Sequence, residues 1–298
     1  MSTIFVIGSS NTDMVIKSKN LPVPGETIIG GEFLMNPGGK GANQAVAAAR
    51  LGASVTFACK VGDDIFGKQA IQGFEREGIH TGYILTDHNN PSGVALILVD
   101  EAGENSIAVA SGANANITIA DLENVLSQIK QNDTVLIQLE IPVPVVEHAI
   151  KKCHQNGAKV ILNPAPAYLL NDAVFPFISM ITPNETEAGL LTGIKVTDVA
   201  SAAEAASAFH AKGVVDVVIT LGAKGAYVSN ADLGKIISSP KVKAVDTTAA
   251  GDVFNGALAV ALSEGRDLET AVVFACKAAS IAVTRMGAQA SAPKRSEL

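Results

Sequence analysis

The chain has 298 residues, with 22 Lys+Arg against 29 Asp+Glu and a formal net charge of −7. Hydrophobic residues make up 48% and charged residues 17%, so the chain builds a large core and is not disordered. The acidic balance, 4% aromatic content and lack of Trp argue against a basic nucleic-acid stripe and a base-stacking platform, but not against an anionic substrate, because backbone N–H groups can hold phosphates.

Apolar, β-branched runs recur at 4–7, 55–61, 135–138, 160–162, 180–182 and 214–220. They are nearly continuous in apolar residues, as are parallel strands covered on both faces. Between them lie helical stretches at 42–51, 66–77, 119–130, 145–155, 185–191 and 202–212, and two longer helices, 250–264 and 268–285, close the chain. The alternation predicts an α/β fold with a doubly wound, mainly parallel sheet. At roughly 150 residues per domain the length allows two domains, but an α/β unit often runs this long, and 1–298 reads as one. Two segments break the rhythm. Residues 14–33 hold extended runs around Pro22, Pro24 and Gly25, and 94–111 reads as strand, turn, strand, with Asp100-Glu-Ala-Gly103 at the turn. Together they predict a small antiparallel sheet projecting from the main body.

The N-terminus has no basic segment and too short an apolar run for a signal peptide, and no stretch approaches the ~18 apolar residues of a membrane span. Cys59, Cys153 and Cys276 form no metal or redox spacing and read as buried thiols. The expectation is a soluble cytoplasmic protein with no membrane or nucleic-acid partner.

Two glycine motifs fall short of phosphate or dinucleotide sites. Gly62-Asp-Asp-Ile-Phe-Gly67-Lys68-Gln69 nearly matches a P-loop, but Gln69 stands where a small hydroxyl must meet Mg²⁺. A helix start capped by Asp63 or Asp64 is the expected role. Gly39-Lys-Gly41-Ala-Asn-Gln44 lacks the third glycine of a dinucleotide fingerprint and does not follow the first strand.

Asp246-Thr-Thr-Ala-Ala-Gly-Asp252 precedes an apolar helix. Small residues at 249–251 let amides converge on an anion at the helix N-terminus. Asp252 beside such a cradle reads either as a base that takes a proton from an attacking hydroxyl or as a helix-capping aspartate. Asn36-Pro-Gly-Gly-Lys40-Gly-Ala-Asn43 allows close backbone approach to a polar ligand, with Lys40 and Asn43 as donors, or forms a tight strand-to-helix turn. Ligands in open α/β sheets sit beyond the carboxyl ends of the strands. Asn11, Asp13, Glu140, Asn184, Glu187 and Gly222 all follow predicted strands and converge on that crevice.

These segments resemble the ribokinase (PfkB-type) carbohydrate kinase family over nearly the whole chain. The resemblance rests on Gly38-Gly-Lys-Gly-Ala-Asn-Gln44, Asp246-Thr-Thr-Ala-Ala-Gly-Asp252, Asn163-Pro-Ala-Pro, Thr182-Pro-Asn-Glu-Thr-Glu187 and Thr220-Leu-Gly-Ala-Lys-Gly225. It implies a ribokinase-like three-layer αβα fold in which the projecting segments form a lid that also makes a homodimer contact. It implies phosphorylation of D-ribose by ATP at the 5-hydroxyl, with another sugar or nucleoside kinase, such as a fructokinase, as the alternative. By the same resemblance Asp252 is the catalytic base, and the amides of Ala249, Ala250 and Gly251 are the anion hole. Asn11, Thr12, Asp13, Gly39, Lys40, Gly41, Ala42, Asn43 and Glu140 bind the sugar. Asn184, Thr220, Leu221, Gly222, Ala223, Lys224 and Gly225 bind the nucleotide, together with Gly251 and Asp252. Glu187 organises Mg²⁺ through water. Asp246, Thr248, Ala282, Arg285, Gly287 and Ser291 surround an activating K⁺. Many family members carry Gly where Ala249 stands, and Asn or His near the adenine where Cys276 stands.

Overall fold

β1 (Ile4–Ile7) is buried at every residue, so both of its faces must be covered. In the computed structural model, which describes residues 3–102 and 104–298, it lies inside a nine-stranded sheet. β2 (Asn11–Lys17) and β3 (Glu32–Gly38) leave that sheet, and α1 (Lys40–Arg50) returns to it. β4 (Val55–Gly62), α2 (Ile65–Arg76) and β5 (His80–Asp87) form the next unit, followed by β6 (Gly93–Val99) and β7 (Asn105–Ala110). Then α3 (Ile119–Leu126), β8 (Thr134–Ile137), α4 (Val143–Gln155), β9 (Lys159–Leu162) and β10 (Met180–Ile181) follow. α5 (Glu185–Thr192), α6 (Val199–Ala211), β11 (Asp216–Thr220), β12 (Ala226–Ser229) and β13 (Gly234–Ile237) lead to α7 (Ala250–Ser263) and α8 (Leu268–Ala282).

The main sheet runs β13-β12-β11-β10-β9-β8-β1-β4-β5, parallel except for the β11-β12-β13 meander. Successive side chains of a strand point to opposite faces. Ile4 and Val6 therefore join a core with α1, α7 and α8, while Phe5 and Ile7 join one with α3, α4 and α6. That period of two, on strands apolar throughout, makes the three layers. β5, β12 and β13 lay outside the sequence expectation. β5 and β13 lie at the sheet edges and are only partly buried, and β12 is a short return strand, so none of the three carries the long apolar run of a central strand. The 119–130 helix stops at Leu126 and the 268–285 helix at Ala282. Among the described residues no helix is long and apolar enough to cross a membrane, and the three cysteines are free and buried.

The projecting segments form a second sheet, β3-β2-β6-β7. It is mixed rather than purely antiparallel, because β2 pairs with β6 in parallel. The cause is the main sheet. β1 and β5 are parallel-sheet strands, and each leads through a short link into β2 or β6, so these continue in one direction. Residues 100–104 join β6 to β7, with Asp100 accepting from the N–H groups of Ala102 and Glu104. Gly103 of the expected turn lies outside the described residues. The pleat places Asn11, Asp13, Asn36 and Ala95 on one face, and Thr12, Met14, Ile16, Phe33, Met35 and Leu96 on the other.

Candidate active site

The N-terminus of α1 and the link after β1 pass within backbone contact. Gly39 adopts φ +89°, and a Cβ there would lie 2.7 Å from the Asn11 nitrogen. α1 has no side-chain cap. Its first amides use distant acceptors instead: Lys40 N–H donates to Glu140 Oε2 at 2.9 Å, and Ala42 N–H to Ser9 O at 2.9 Å. The Ser9 hydroxyl also donates to Glu140 Oε2. Asn11 Oδ1 accepts from Asn114 Nδ2 at 2.8 Å, and Asn114 Oδ1 accepts from Ser10 N–H. Asp13 stands opposite Asn36, and a Cβ on Gly38 would lie 2.2 Å from Asp13 Oδ2, so only glycine leaves that carboxylate room. Two residues expected on the sugar are placed otherwise. Thr12 faces the opposite side of its sheet, and Ala42 is fully buried in the core.

Asp252 lies in the first turn of α7 and is buried. Oδ2 accepts from Asn43 Nδ2 and Oδ1 from Gln44 Nε2, both at 2.9 Å. Burial pushes the carboxyl above its ordinary value, opposed by Lys40 and by these two donors, with Glu140 adding to the rise. Asp13 is pushed up from 3.8 to about 6 by burial, then by Glu140 and Asp252, against Lys40. Burial pulls the Lys40 ammonium down, but Asp252, Glu140, Glu187 and Asp13 together outweigh it and raise it. One lysine thus lies in the field of four carboxylates from separate elements.

Ala249, just before α7, sits in the left-handed region at φ +58°, where glycine is unstrained. The N–H groups of Ala249, Gly251 and Asp252 have no acceptor among the described residues, whereas Ala250 N–H donates to Thr247 O at 3.2 Å. Of the expected anion-hole amides, Ala249 and Gly251 are therefore open and Ala250 is engaged, with the Asp252 amide open beside them.

A cavity of about 500 Å³ adjoins this terminus. Thr220, Gly222, Ala223, Gly225 and Gly251 line it as expected, with Cys276 beside them. Burial pushes the Cys276 thiol up to about 11. Leu221 is buried and Lys224 exposed, and both hold the 221–225 turn through their backbone. The far wall, residues 239–247, is irregular loop without periodicity and was not foreseen. Asn184 bridges to Thr220. It also caps α5: its Oδ1 accepts from Glu187 N–H at 2.8 Å, and Glu187 Oε2 accepts from Asn184 N–H at 2.9 Å. Glu187 is buried and raised by that burial, against the Asn184 N–H and Lys40.

Asp246 ties two loops together: Oδ1 accepts from Thr248 N–H and Oδ2 from Gly287 N–H, each at 2.9 Å. The Ala282 carbonyl accepts from Arg285 N–H, the Arg285 guanidinium pairs with Glu297, and the Ser291 hydroxyl donates to Ala288 O. Ser9, Asn114, Gln138 and Asn255, together with Gln44, Asn163 and Thr182 of the quoted motifs, had no role assigned from the sequence; all are buried polar groups around these strand ends. A polar residue just after an apolar strand was the available signal for Gln138, Asn163 and Thr182.

The 62–69 segment stands apart. Asp64 caps α2 through Gly67 N–H and also accepts from Ser92, while Lys68 pairs with Asp63 on the surface. Lys68→Ala leaves kcat and the ATP KM within about twofold, since surface pairs contribute little; a collapse of ATP affinity with the fold intact would move the phosphate site to this loop.

Free amides, a helix terminus and a buried carboxylate meet between a polar cleft and a cavity large enough for a nucleotide. Chemistry available there is transfer of an anionic group from a ligand in the cavity to a hydroxyl in the cleft, the arrangement of a kinase. The pfkB family carbohydrate kinase model matches residues 1–295. The chain is 48% identical to a ribokinase of Haemophilus influenzae over 99% of its own length and 96% of that protein's. It superposes on a ribokinase of Thermotoga maritima with a TM-score of 0.91 at 40% identity, covering 100% and 98% of the two chains. The Arabidopsis thaliana ribokinase complexed with ribose and ATP matches with a TM-score of 0.90 at 33% identity, covering 99% and 96%. The chain belongs to the pfkB family of carbohydrate kinases, and its fold is the ribokinase-like α/β fold.

Proposed function

We propose that this chain transfers the γ-phosphoryl group of ATP to the 5-hydroxyl of D-ribose, giving ribose 5-phosphate and ADP. The carrying observation is the place of Asp252, a buried carboxylate oriented by Asn43 and Gln44 beside open amides at the head of α7. The full-length likeness to ribokinases supplies the sugar. Asn11, Asp13, Gly39, Lys40, Gly41, Asn43 and Glu140 surround the sugar, and Asp13 accepts from its hydroxyls. Asn184 and the 220–225 turn hold the nucleotide, with Cys276 against the base. Asp252 takes the proton of the 5-hydroxyl as that oxygen attacks in line. The amides of Ala249, Gly251 and Asp252 meet the charge on the transferring phosphoryl group.

Mg²⁺ fits beside Glu187. Among the described residues no cluster of three ligating side chains exists, and an octahedral ion held by one carboxylate, water and phosphate oxygens needs none. When bound, it supplies positive charge to the phosphates. K⁺ would be held in the loops that Asp246 joins, by oxygens of Asp246, Thr248, Ala282 and Ser291. Its role there is to fix the 246–252 segment and so the direction of the cradle amides.

The β3-β2-β6-β7 sheet is the lid of a single domain, and its closure excludes water. Its outer face leaves Phe33 60%, Leu96 56%, Met35 46% and Ile16 41% exposed together, a patch suited to a two-fold homodimer. The setting is cytoplasmic, where free thiols persist.

A coupled ADP assay over D-ribose, deoxyribose, fructose and nucleosides tests the reading. Ribose gives the highest kcat/KM; fructose or a nucleoside in first place would replace it. In the same assay K⁺ raises turnover over Na⁺ or Tris at constant ionic strength, and Asp246→Ala removes the response. Equal rates in all three cations would end the K⁺ assignment alone.

A further inference from the structure

Behind Asp252 lies a run of buried amides that the proposed reaction does not by itself require. Gln44, on α1, is fully buried. Its Nε2 donates both hydrogens, to Asp252 Oδ1 at 2.9 Å and to Asn163 Oδ1 at 3.0 Å, and its Oε1 accepts from Gln138 Nε2 at 2.6 Å. Asn163 is held in turn by donating Nδ2–H to Thr182 O at 3.0 Å. A flipped Gln44 amide would set Oε1 against Asp252 and Asn163 oxygens and its NH₂ against the Gln138 NH₂. The neighbours therefore permit one orientation.

Among the described residues the Gln138 side chain has no other polar partner. It follows β8, an apolar buried strand, and its Oε1 is buried without a hydrogen-bond partner. An orphaned buried acceptor destabilises a fold, and an apolar side chain would avoid it. Such a violation is expected where function demands it. The same strand ends also reach the cradle: Thr182 Oγ1 donates to Asn255 Oδ1 at 2.6 Å, and Asn255 Nδ2 donates to Gly251 O at 2.8 Å. That carbonyl belongs to the peptide whose N–H is the open amide of Asp252.

We propose that Gln44 is a positioning residue for phosphoryl transfer: clamped by Gln138 and Asn163, it turns a donor onto Asp252 Oδ1 and holds that carboxylate charged and aimed at the cleft. This rests on the reading of Asp252 as the base. The charged groups facing Asp252 are Lys40 from α1, Asp13 from β2, Glu140 after β8 and Glu187 from α5. Burial and Glu140 disfavour its ionisation, so the neutral donors from Asn43 and Gln44 act with Lys40 to keep it a carboxylate.

The test is the pH dependence of kcat at saturating ribose and ATP for the unmodified enzyme, Gln44→Met, Gln138→Met and Asp252→Asn. Loss of one donor to a buried carboxylate moves the acidic limb of kcat upward by about one pH unit or more in Gln44→Met. Gln138→Met, which does not touch Asp252, moves it the same way by less. Both variants recover turnover on the alkaline side, and both KM values stay within about threefold there. An unmoved limb, or equal loss at every pH, overturns the proposal; should Gln44→Met not fold, the limb of Gln138→Met decides. Asp252→Asn separates the two readings. If it turns over normally, the base assignment fails; if it is inactive while the limb of the glutamine variants stays in place, the positioning role alone fails.

Discussion

Asp252→Asn lowers kcat by about 10²–10⁴-fold, the usual cost of losing a general base. The substitution preserves size and burial, so the loss falls on chemistry. The amide has one oxygen to offer the two donors, Asn43 Nδ2 and Gln44 Nε2, and sets its own NH₂ against the other. Some local stability is lost with it, which a melting curve reads separately. Ribose and ATP still bind, because Asp13, the α1 terminus and the cavity are untouched, and calorimetry measures both. Turnover within tenfold of the unmodified enzyme would remove Asp252 from the role of base.

Asp13→Asn weakens ribose and stabilises the empty protein, with the second effect confined to one side of the pH scale. A carboxylate that accepts from sugar hydroxyls makes charge-assisted bonds of roughly 1.5–3 kcal/mol, so the ribose KM rises about tenfold or more while the ATP KM changes little. Stability runs the other way. Burial and two neighbouring carboxylates lift Asp13 from 3.8 to about 6 in the fold. The folded state therefore binds more protons than the unfolded chain between those values, and stability falls as pH rises through them. Above about pH 6 the ionised carboxylate costs the fold on the order of 1–3 kcal/mol; the cost shrinks as pH falls and vanishes only well below the unfolded value of 3.8, where both states are protonated. Thermal melts without ligand at pH 8 and pH 4 check this: the gain of Asp13→Asn is large at pH 8 and mostly gone at pH 4. A melting gain equal at both pH values would mean that the effect is packing, not charge.

The fold was legible because its central strands are buried on both faces. Phe5 and Ile7 serve one core, and Ile4 and Val6 the other, so a continuous apolar run was the only composition that fits. Edge strands β5 and β13 carried no such mark, since solvent on one side tolerates polar residues there. The parallel pairing of β2 with β6 was hidden for another reason. Strand direction depends on which main-sheet strands feed the projecting sheet, not on the residues within it.

The candidate site divides along similar lines. The glycines at 38, 39 and 41 and the small residues before Asp252 were visible because close backbone approach restricts residue type locally. Asn184 and Glu187 were visible as a pair, three apart, and that spacing makes a capping box. Gln44 and Asn163 stood in quoted motifs, but the contacts that join them to Asp252, Gln138 and Thr182 were not visible, since those partners lie on other elements. The 239–247 wall of the cavity was missed because irregular loop has no period to read.

By itself, then, the amino-acid sequence determined the alternation of strand and helix, the tight turns, the caps and the identity of the chemical groups, because each depends on residues within a turn or two of one another. Only the tertiary structure decided which of those groups meet. Asn43 and Asp252 are 209 residues apart and Ser9 and Glu140 are 131 apart, and each pair is joined by strand order. It likewise turned Asp13 toward the cleft and Thr12 away, through the pleat, and set four carboxylates about Lys40. Burial and charge at a point in space are sums over all elements that reach it, and no local stretch of chain contains that sum.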